Sequence, residues 1–287
     1  MKLYLTRFEL PSQMREEDYL NSVRRTCYTS WYPFRALAGR GLEEITFDGI
    51  TIFYGGNGSG KSTLLNLIAE KLGLGREAPF NRTDFFDTYV DMCECDAAAV
   101  PEGSRIVTSD DVFSYMLNLR MVNQGIDRRR QELFDQWVRD RSDRSRMTSM
   151  ADYDEISRIT EARRMSQSEY VRRRLGGNMP EHSNGESAFL YFNEKIQDHA
   201  LYLLDEPENS LAPERQMELA RFLEESARFY DCQLVLATHS PFLLAMRGAK
   251  IYDLDARPAC VRPWTELPSV RAYYSFFREN SARFEED

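Results

Sequence analysis

The stretch FYGGNGSGKST, residues 53–63, constrains this chain more than any other. A strand-like run, EITFDGITIFYG, leads into a glycine-rich turn. A helical pattern, STLLNLIAEKLG, leads out of it and closes at a glycine C-cap. Gly55, then Gly60-Lys61-Ser62 after the intervening residues, match the P-loop pattern. The glycines permit positive φ, so successive backbone N–H groups can turn inward onto phosphate oxygens. The helix that follows adds its N-terminal dipole to the same anion site. The phosphate-binding set is therefore Gly55, Asn57, Gly58, Ser59, Gly60, Lys61, Ser62 and Thr63. Lys61 is expected to reach the β- and γ-phosphates of a nucleotide, and the Ser62 hydroxyl to ligate Mg²⁺.

Two further pieces belong to the same chemistry. LYLLDE, residues 201–206, is an apolar strand ending in two acids. Asp205, at the end of a buried strand, is placed to hold the Mg²⁺ with Ser62. Glu206 points elsewhere and can act as general base on a water aligned with the γ-phosphate. QLVLATHS then puts His239, one of three histidines, just after the next apolar strand, where a γ-phosphate contact is expected. Asp205 with Glu206 could also be two solvated acids at a strand end, and His239 a packing residue. The P-loop upstream decides against both.

Strand and helix signals alternate on either side of a long polar segment, which predicts an α/β fold on a largely parallel, buried sheet. KLYLTRFEL, TYVDMCEC and SRIVTS read as strands, and AFLYFNEKI and PERQMELARFLEESARF as helices. GGNMP, residues 176–180, reads as a breaker. The tail SVRAYYSFFREN reads as a helix packing through Val270, Tyr273, Tyr274 and Phe277. The net charge of −9 hides an asymmetry: residues 120–175 hold 14 Arg, no Lys and 10 acids, while the remainder balances to −13. The acidic bulk argues against a general nucleic-acid binder. Arg128-Arg129-Arg130 and Arg172-Arg173-Arg174 could still neutralise phosphates, or pair with interspersed acids on a solvated or protein-contacting face. No apolar run approaches the roughly 18 residues of a membrane span, and no signal-peptide core opens the chain. Five scattered cysteines fit reduced thiols and a cytoplasmic protein.

Taken in order, these motifs resemble the ABC-type ATPases, in particular their non-transporter SMC- and RecF-like branch. Asn57 within GGNGSGKST, DEPENSLAP as Walker B and D-loop (Ser210-Leu211-Ala212-Pro213), and ATHSP as the switch-histidine motif carry the likeness. SNGES, residues 183–187, stands where the signature motif belongs. More narrowly, the compact layout resembles small stand-alone AAA-family ATPases of the Septu and retron-linked phage-defence type. The resemblance implies a two-lobed P-loop NTPase head: lobe I at 1–110, a helical Arg-rich insertion at 111–180, lobe II at 181–262, and a C-terminal helical tail at 263–287. It also implies that Ser183 and Gly185 of one copy close over the γ-phosphate held by another, giving a homodimer around two ATP molecules. The insertion would face DNA or a nuclease or effector partner, in DNA repair or antiviral defence. Departures are specific. No Q-loop glutamine stands after SRIVTS, where Ser109-Asp110 occur, and Gln124 is a weak substitute. Tyr28, Trp31 and Tyr32 are candidates for an adenine platform. A transporter-energising subunit and an ATP-gated scaffold with negligible turnover remain the alternative functions.

Overall fold

The computed structural model describes residues 2–24, 27–143, 153–175, 177, 184–209 and 211–284. It divides into two compact units, one formed by Met1–Phe113 with Asn184–Asp287 and the other by Ser114–Ser183. Along the chain run β1 (Leu5–Glu9), α1 (Gln13–Ser22), β2 (Glu44–Thr46), β3 (Ile50–Tyr54), α2 (Lys61–Leu72), α3 (Phe86–Met92), β4 (Glu94–Ala97), β5 (Arg105–Thr108) and α4 (Ser109–Ser142). After them come α5 (Tyr153–Arg164), α6 (Gln167–Arg174), α7 (Asn184–Lys195), β6 (Leu201–Asp205), α8 (Pro213–Phe229), β7 (Gln233–Ala237), α9 (Pro241–Leu244), β8 (Lys250–Asp253), β9 (Cys260–Val261) and α10 (Pro268–Glu279).

In the first unit, six strands form one sheet in the order β5-β6-β7-β3-β8-β9. The pairs from β5 to β8 are all parallel, and only β9 runs antiparallel. Apolar residues line both faces of the central strands: every residue of β3 and of β7 is buried, as a parallel sheet covered on both sides requires. The register aligns Thr108 with Asp205, Asp205 with Ala237, and Phe53 with Ala237. The C-terminal ends of the parallel strands therefore meet along one edge, where open α/β sheets bind ligands. A second sheet, β2-β1-β4, is antiparallel. The buried Gln233 side chain stitches it to β7, accepting from the N–H groups of Tyr4 (2.7 Å) and Leu5 (2.8 Å) and donating to the Leu5 carbonyl (2.6 Å).

Two local expectations change. Residues 88–95 were expected as a strand, yet they finish α3 and lead into β4. Phe86, Tyr89 and Val90 are the buried positions, at helical rather than alternate spacing. The tail does form a helix, α10, but of its expected packing face only Val270 is buried. Tyr273, Tyr274 and Phe277 stay at least half exposed, because the helix meets the body through its first turn alone.

The second unit holds α4 from residue 114 onward with α5 and α6. Its core joins Leu133, Ala162, Tyr170 and Val171, flanked by Phe134, Trp137 and Leu175. Four of its arginines pair with nearby acids: Arg129 with Glu132, Arg130 with Asp127, Arg173 with Glu169, and Arg174 with Glu161. Among the described residues, all five cysteines are free thiols, and no helix is long and apolar enough to cross a membrane.

Candidate active site

Helix α2 begins at Lys61 with Gly60 as its N-cap, in the left-handed region at φ 89°. Gly58 is also left-handed, at φ 77°. A side chain at either position would strain the turn, so the loop depends on glycine there. Gly60 offers no side-chain cap, so the first N–H groups of α2 stay available to an anion. The Lys61 ammonium is buried and donates to the carbonyls of Gly55 (2.7 Å) and Gly56 (3.2 Å), which holds it over the loop. Ser59 is buried beneath the turn and Asn57 is exposed on it. Thr63 is buried and accepts from the Tyr32 hydroxyl at 3.2 Å.

The carboxylates come from β6. Asp205 Oδ1 accepts from the Ser62 hydroxyl at 3.0 Å. Burial pushes the Asp205 carboxyl up to about 6, Glu206 adds to this, and the Ser62 bond and Lys61 oppose it. A half-buried carboxylate beside a hydroxyl is a hard all-oxygen donor pair, which suits Mg²⁺ completed by phosphate and water oxygens. Among the described residues no group of three His, Cys, Asp or Glu could hold a metal alone.

Glu206 leaves the strand in the left-handed region, at φ 48°. Its N–H donates to the Ala237 carbonyl at 2.9 Å, and its Oε2 accepts from the Asn209 side-chain amide at 3.1 Å. A left-handed glutamate costs on the order of 1–2 kcal/mol, and these bonds aim its carboxylate. Its Oε1 lies 3.8 Å from Lys61 Nζ and 3.9 Å from His239 Nδ1. At 28% side-chain exposure, Glu206 remains within reach of water.

Lys61, Ser62, Asp205, Glu206 and His239 thus converge on one sheet edge. Ser183 and Ser210 lie outside the described residues. Gly185 occupies the first turn of α7, and Leu211 is buried ahead of Pro213, which opens α8. Of the adenine candidates, Tyr28 and Trp31 join Phe85 in an aromatic cluster, while Tyr32 reaches Thr63 on α2. Ser109 begins α4 immediately after β5, and Gln124 is exposed on α4 in the second unit. The residue that works at this junction is Asp111, which accepts from the N–H groups of Ala78 (2.6 Å) and Thr108 (2.7 Å).

Sequence reasoning missed three supports of the site. Glu208 is buried, and its Oε1 accepts from the Thr238 hydroxyl (2.6 Å) and the N–H groups of His239 (3.0 Å) and Ser240 (3.2 Å). Its Oε2 is buried without a hydrogen bond. Asp255 accepts from the Gly56 N–H at 2.7 Å, and Arg40 donates to the Gly58 carbonyl at 3.2 Å, so both brace the P-loop from outside. The second acid of DEPEN was the available signal for Glu208. Nothing local marked the other two.

Residues 183–245 match the family described as "AAA domain, putative AbiEii toxin, Type IV TA system". No curated protein matches the chain. Among solved structures, the SMC head domain of Pyrococcus furiosus bound to the C-terminal domain of ScpA is 11% identical, covering 97% of this chain and 99% of that one, at a TM-score of 0.42. The SMC head domain of Thermotoga maritima is 14% identical, covering 77% and 92%, at 0.34. A dimeric ATP-binding cassette in a post-hydrolysis state with ADP and Pi is 14% identical, covering 79% and 92%, at 0.36. The fold is carried by the strand order and the P-loop rather than by these likenesses.

Proposed function

We propose that this chain, a P-loop ATPase with an AAA domain, hydrolyses Mg-ATP as a head-to-tail dimer that closes around two nucleotides. The observation that carries this reading is the convergence of Lys61, the Ser62–Asp205 pair, Glu206 and His239 along one sheet edge. In this reading the amides of residues 58–63 and the Lys61 ammonium bind the β- and γ-phosphates. Ser62 and Asp205 would hold the Mg²⁺, which when bound neutralises charge on the phosphate oxygens. Glu206 orients a water and takes its proton as the water oxygen attacks the γ-phosphorus. The bond from that phosphorus to the bridging oxygen breaks, and the electron pair leaves with ADP. His239 donates to the γ-phosphate and senses its loss. Tyr32 supports the nucleotide from beside Thr63. Ser183 and, in the first turn of α7, Gly185 of a second copy supply N–H donors across the nucleotide.

Opening and closing of this dimer is read as conformational control of a partner in a cytoplasmic, nucleic-acid-related process such as repair or phage defence. A nuclease or other effector protein is the partner of choice for the second unit, because two arginines of each Arg triplet are engaged in local ion pairs. Direct nucleic-acid contact through Arg128 and Arg172 is the second reading, favoured by the balance of +4 over residues 120–175. Light scattering on Glu206→Gln, with and without Mg-ATP and with duplex DNA, tests both. A dimer formed only with Mg-ATP supports the sandwich, and a DNA-bound mass selects the second reading. A monomer under every condition refutes the sandwich.

A further inference from the structure

Helix α10 leaves its apolar residues in solvent. At about 100° per residue, Tyr273, Tyr274, Phe276 and Phe277 fall within an arc of about 160°. Their exposures are 50%, 54%, 59% and 54%, and Phe284 beyond them stands at 69%. Ser275 and Glu279 take the opposite side, while the guanidinium groups of Arg271 and Arg278 border the aromatic face, 5.4 Å and 5.6 Å from the Tyr274 ring centre. The anchorage is confined to the base. Leu267 and Val270 are buried, the Ser269 N–H donates to the Tyr54 hydroxyl at 3.2 Å, and that hydroxyl donates to Ser269 Oγ at 2.9 Å. Helices of fewer than about 12–15 residues are marginal in water, and Tyr and Phe are middling helix formers. The helix therefore needs a surface to cover its aromatic face.

Three observations identify that surface. Tyr54 ends β3 and directly precedes Gly55, so α10 leaves the body at the edge that carries Lys61, Asp205, Glu206 and His239. In the head-to-tail reading this edge faces the second copy. The helix itself, residues 268–279, holds two Arg and one Glu, a balance of +1, whereas the rest of the chain balances to −10. A cationic aromatic helix is thus complementary to the body of another copy. Finally, a 12-residue helix is about 18 Å long, too small to supply the roughly 800 Å² per partner of a stable interface alone. Its size fits an addition to a larger, nucleotide-closed contact.

We infer that α10 is a dimer clasp, its aromatic face packing on the second copy when the two copies close around ATP. This rests on the head-to-tail reading. The clasp is tied to the P-loop by the Tyr54–Ser269 bonds, just ahead of Gly56, whose N–H is held by Asp255. Nucleotide binding and clasp closure then share the segment from Tyr54 to Gly56.

The test uses the full chain with Glu206→Gln as parent, against Tyr273→Ser/Tyr274→Ser/Phe277→Ser and, separately, Arg271→Glu/Arg278→Glu in the same background. Mass is followed by light scattering over a protein titration with Mg-ATP. Affinity of the monomer for a fluorescent ATP analogue, thermal midpoint and hydrogen exchange over residues 271–279 are measured alongside. The parent is expected to dimerise, and each variant to need roughly tenfold or more protein to do so. Nucleotide affinity and thermal midpoint should be unchanged, and residues 271–279 should gain protection only in the dimer. A parent that dimerises no better than both variants overturns the clasp and leaves the sandwich standing. A parent that never dimerises overturns the sandwich, and the clasp with it. Co-sedimentation of the parent with phosphatidylglycerol vesicles, lost in the aromatic variant while dimerisation is unaffected, would assign the face to lipid and overturn the proposal.

Discussion

Replacing Glu208 separates a residue that holds the site from the residues that carry out its chemistry. Its Oε1 is the acceptor for three donors on the turn that bears His239. In Glu208→Leu, the Ser240 N–H keeps a second acceptor, Thr238 Oγ1 at 3.0 Å. The Thr238 hydroxyl and the His239 N–H lose theirs in a buried turn, at about 1–3 kcal/mol each. Against this stands the unbonded, buried Oε2 of the native carboxylate, whose removal returns a similar amount once. The net expectation is a loss of about 1–3 kcal/mol by urea denaturation. Glu208→Gln keeps an acceptor oxygen and should lose about 1 kcal/mol or less. No P-loop group bonds to Glu208, so KM for ATP should hold while kcat falls about 10²-fold in Glu208→Leu and much less in Glu208→Gln. In a His239→Ala background the Glu208→Leu step should cost kcat little more, since its effect runs through His239. Unchanged stability and kcat in Glu208→Leu, or an equal loss of kcat in both backgrounds, would refute this assignment.

Three further outcomes follow from the same geometry. Glu206→Gly should abolish hydrolysis yet stabilise the fold by about 0.5–1 kcal/mol, because relief of the left-handed glutamate exceeds the entropic cost of glycine; a destabilised Glu206→Gly in denaturant titration would show that the turn is not strained. Asp205 is raised from 3.8 to about 6 in the folded chain. The folded state then keeps a proton that the unfolded state loses, so without Mg²⁺ stability falls as pH rises from about 4 through about 6 and stays low above. Asp205→Asn should remove that step and be the more stable chain at pH 7, by on the order of 1–3 kcal/mol; parallel pH profiles of the two chains would count against it. Gln233→Leu strands the buried N–H groups of Tyr4 and Leu5 and should cost about 2–4 kcal/mol, read as a lower denaturation midpoint with an ordinary m-value.

How much of this was legible in the sequence depended on the range of the interactions. The P-loop, its strand and its helix lie within a few residues of one another, and the glycines, the apolar run and the C-cap at Gly73 mark them locally. The acids of β6 and His239 after β7 could be read because parallel strands of similar length end at one edge. Glu208 could not be ranked among neighbouring acids, since its partners lie some 30 positions downstream. Arg40 and Asp255 are brought to the P-loop by tertiary packing alone. The segment around Tyr89 misled because its β-favouring residues bury at helical spacing. The α10 aromatics misled in the opposite sense, as periodicity reveals an apolar face without saying whether the same chain covers it.

The central claim is that Glu206 activates water at an ATP site built by Lys61, Ser62 and Asp205. Steady-state phosphate release from Mg-ATP by the wild-type chain and by Glu206→Gln, with nucleotide affinity measured on the same samples, tests it most directly. The account predicts turnover by the wild type, a loss of about 10²–10⁴-fold in Glu206→Gln, and ATP affinity equal in both. Equal turnover in the two chains, or a variant that fails to bind ATP, would contradict it.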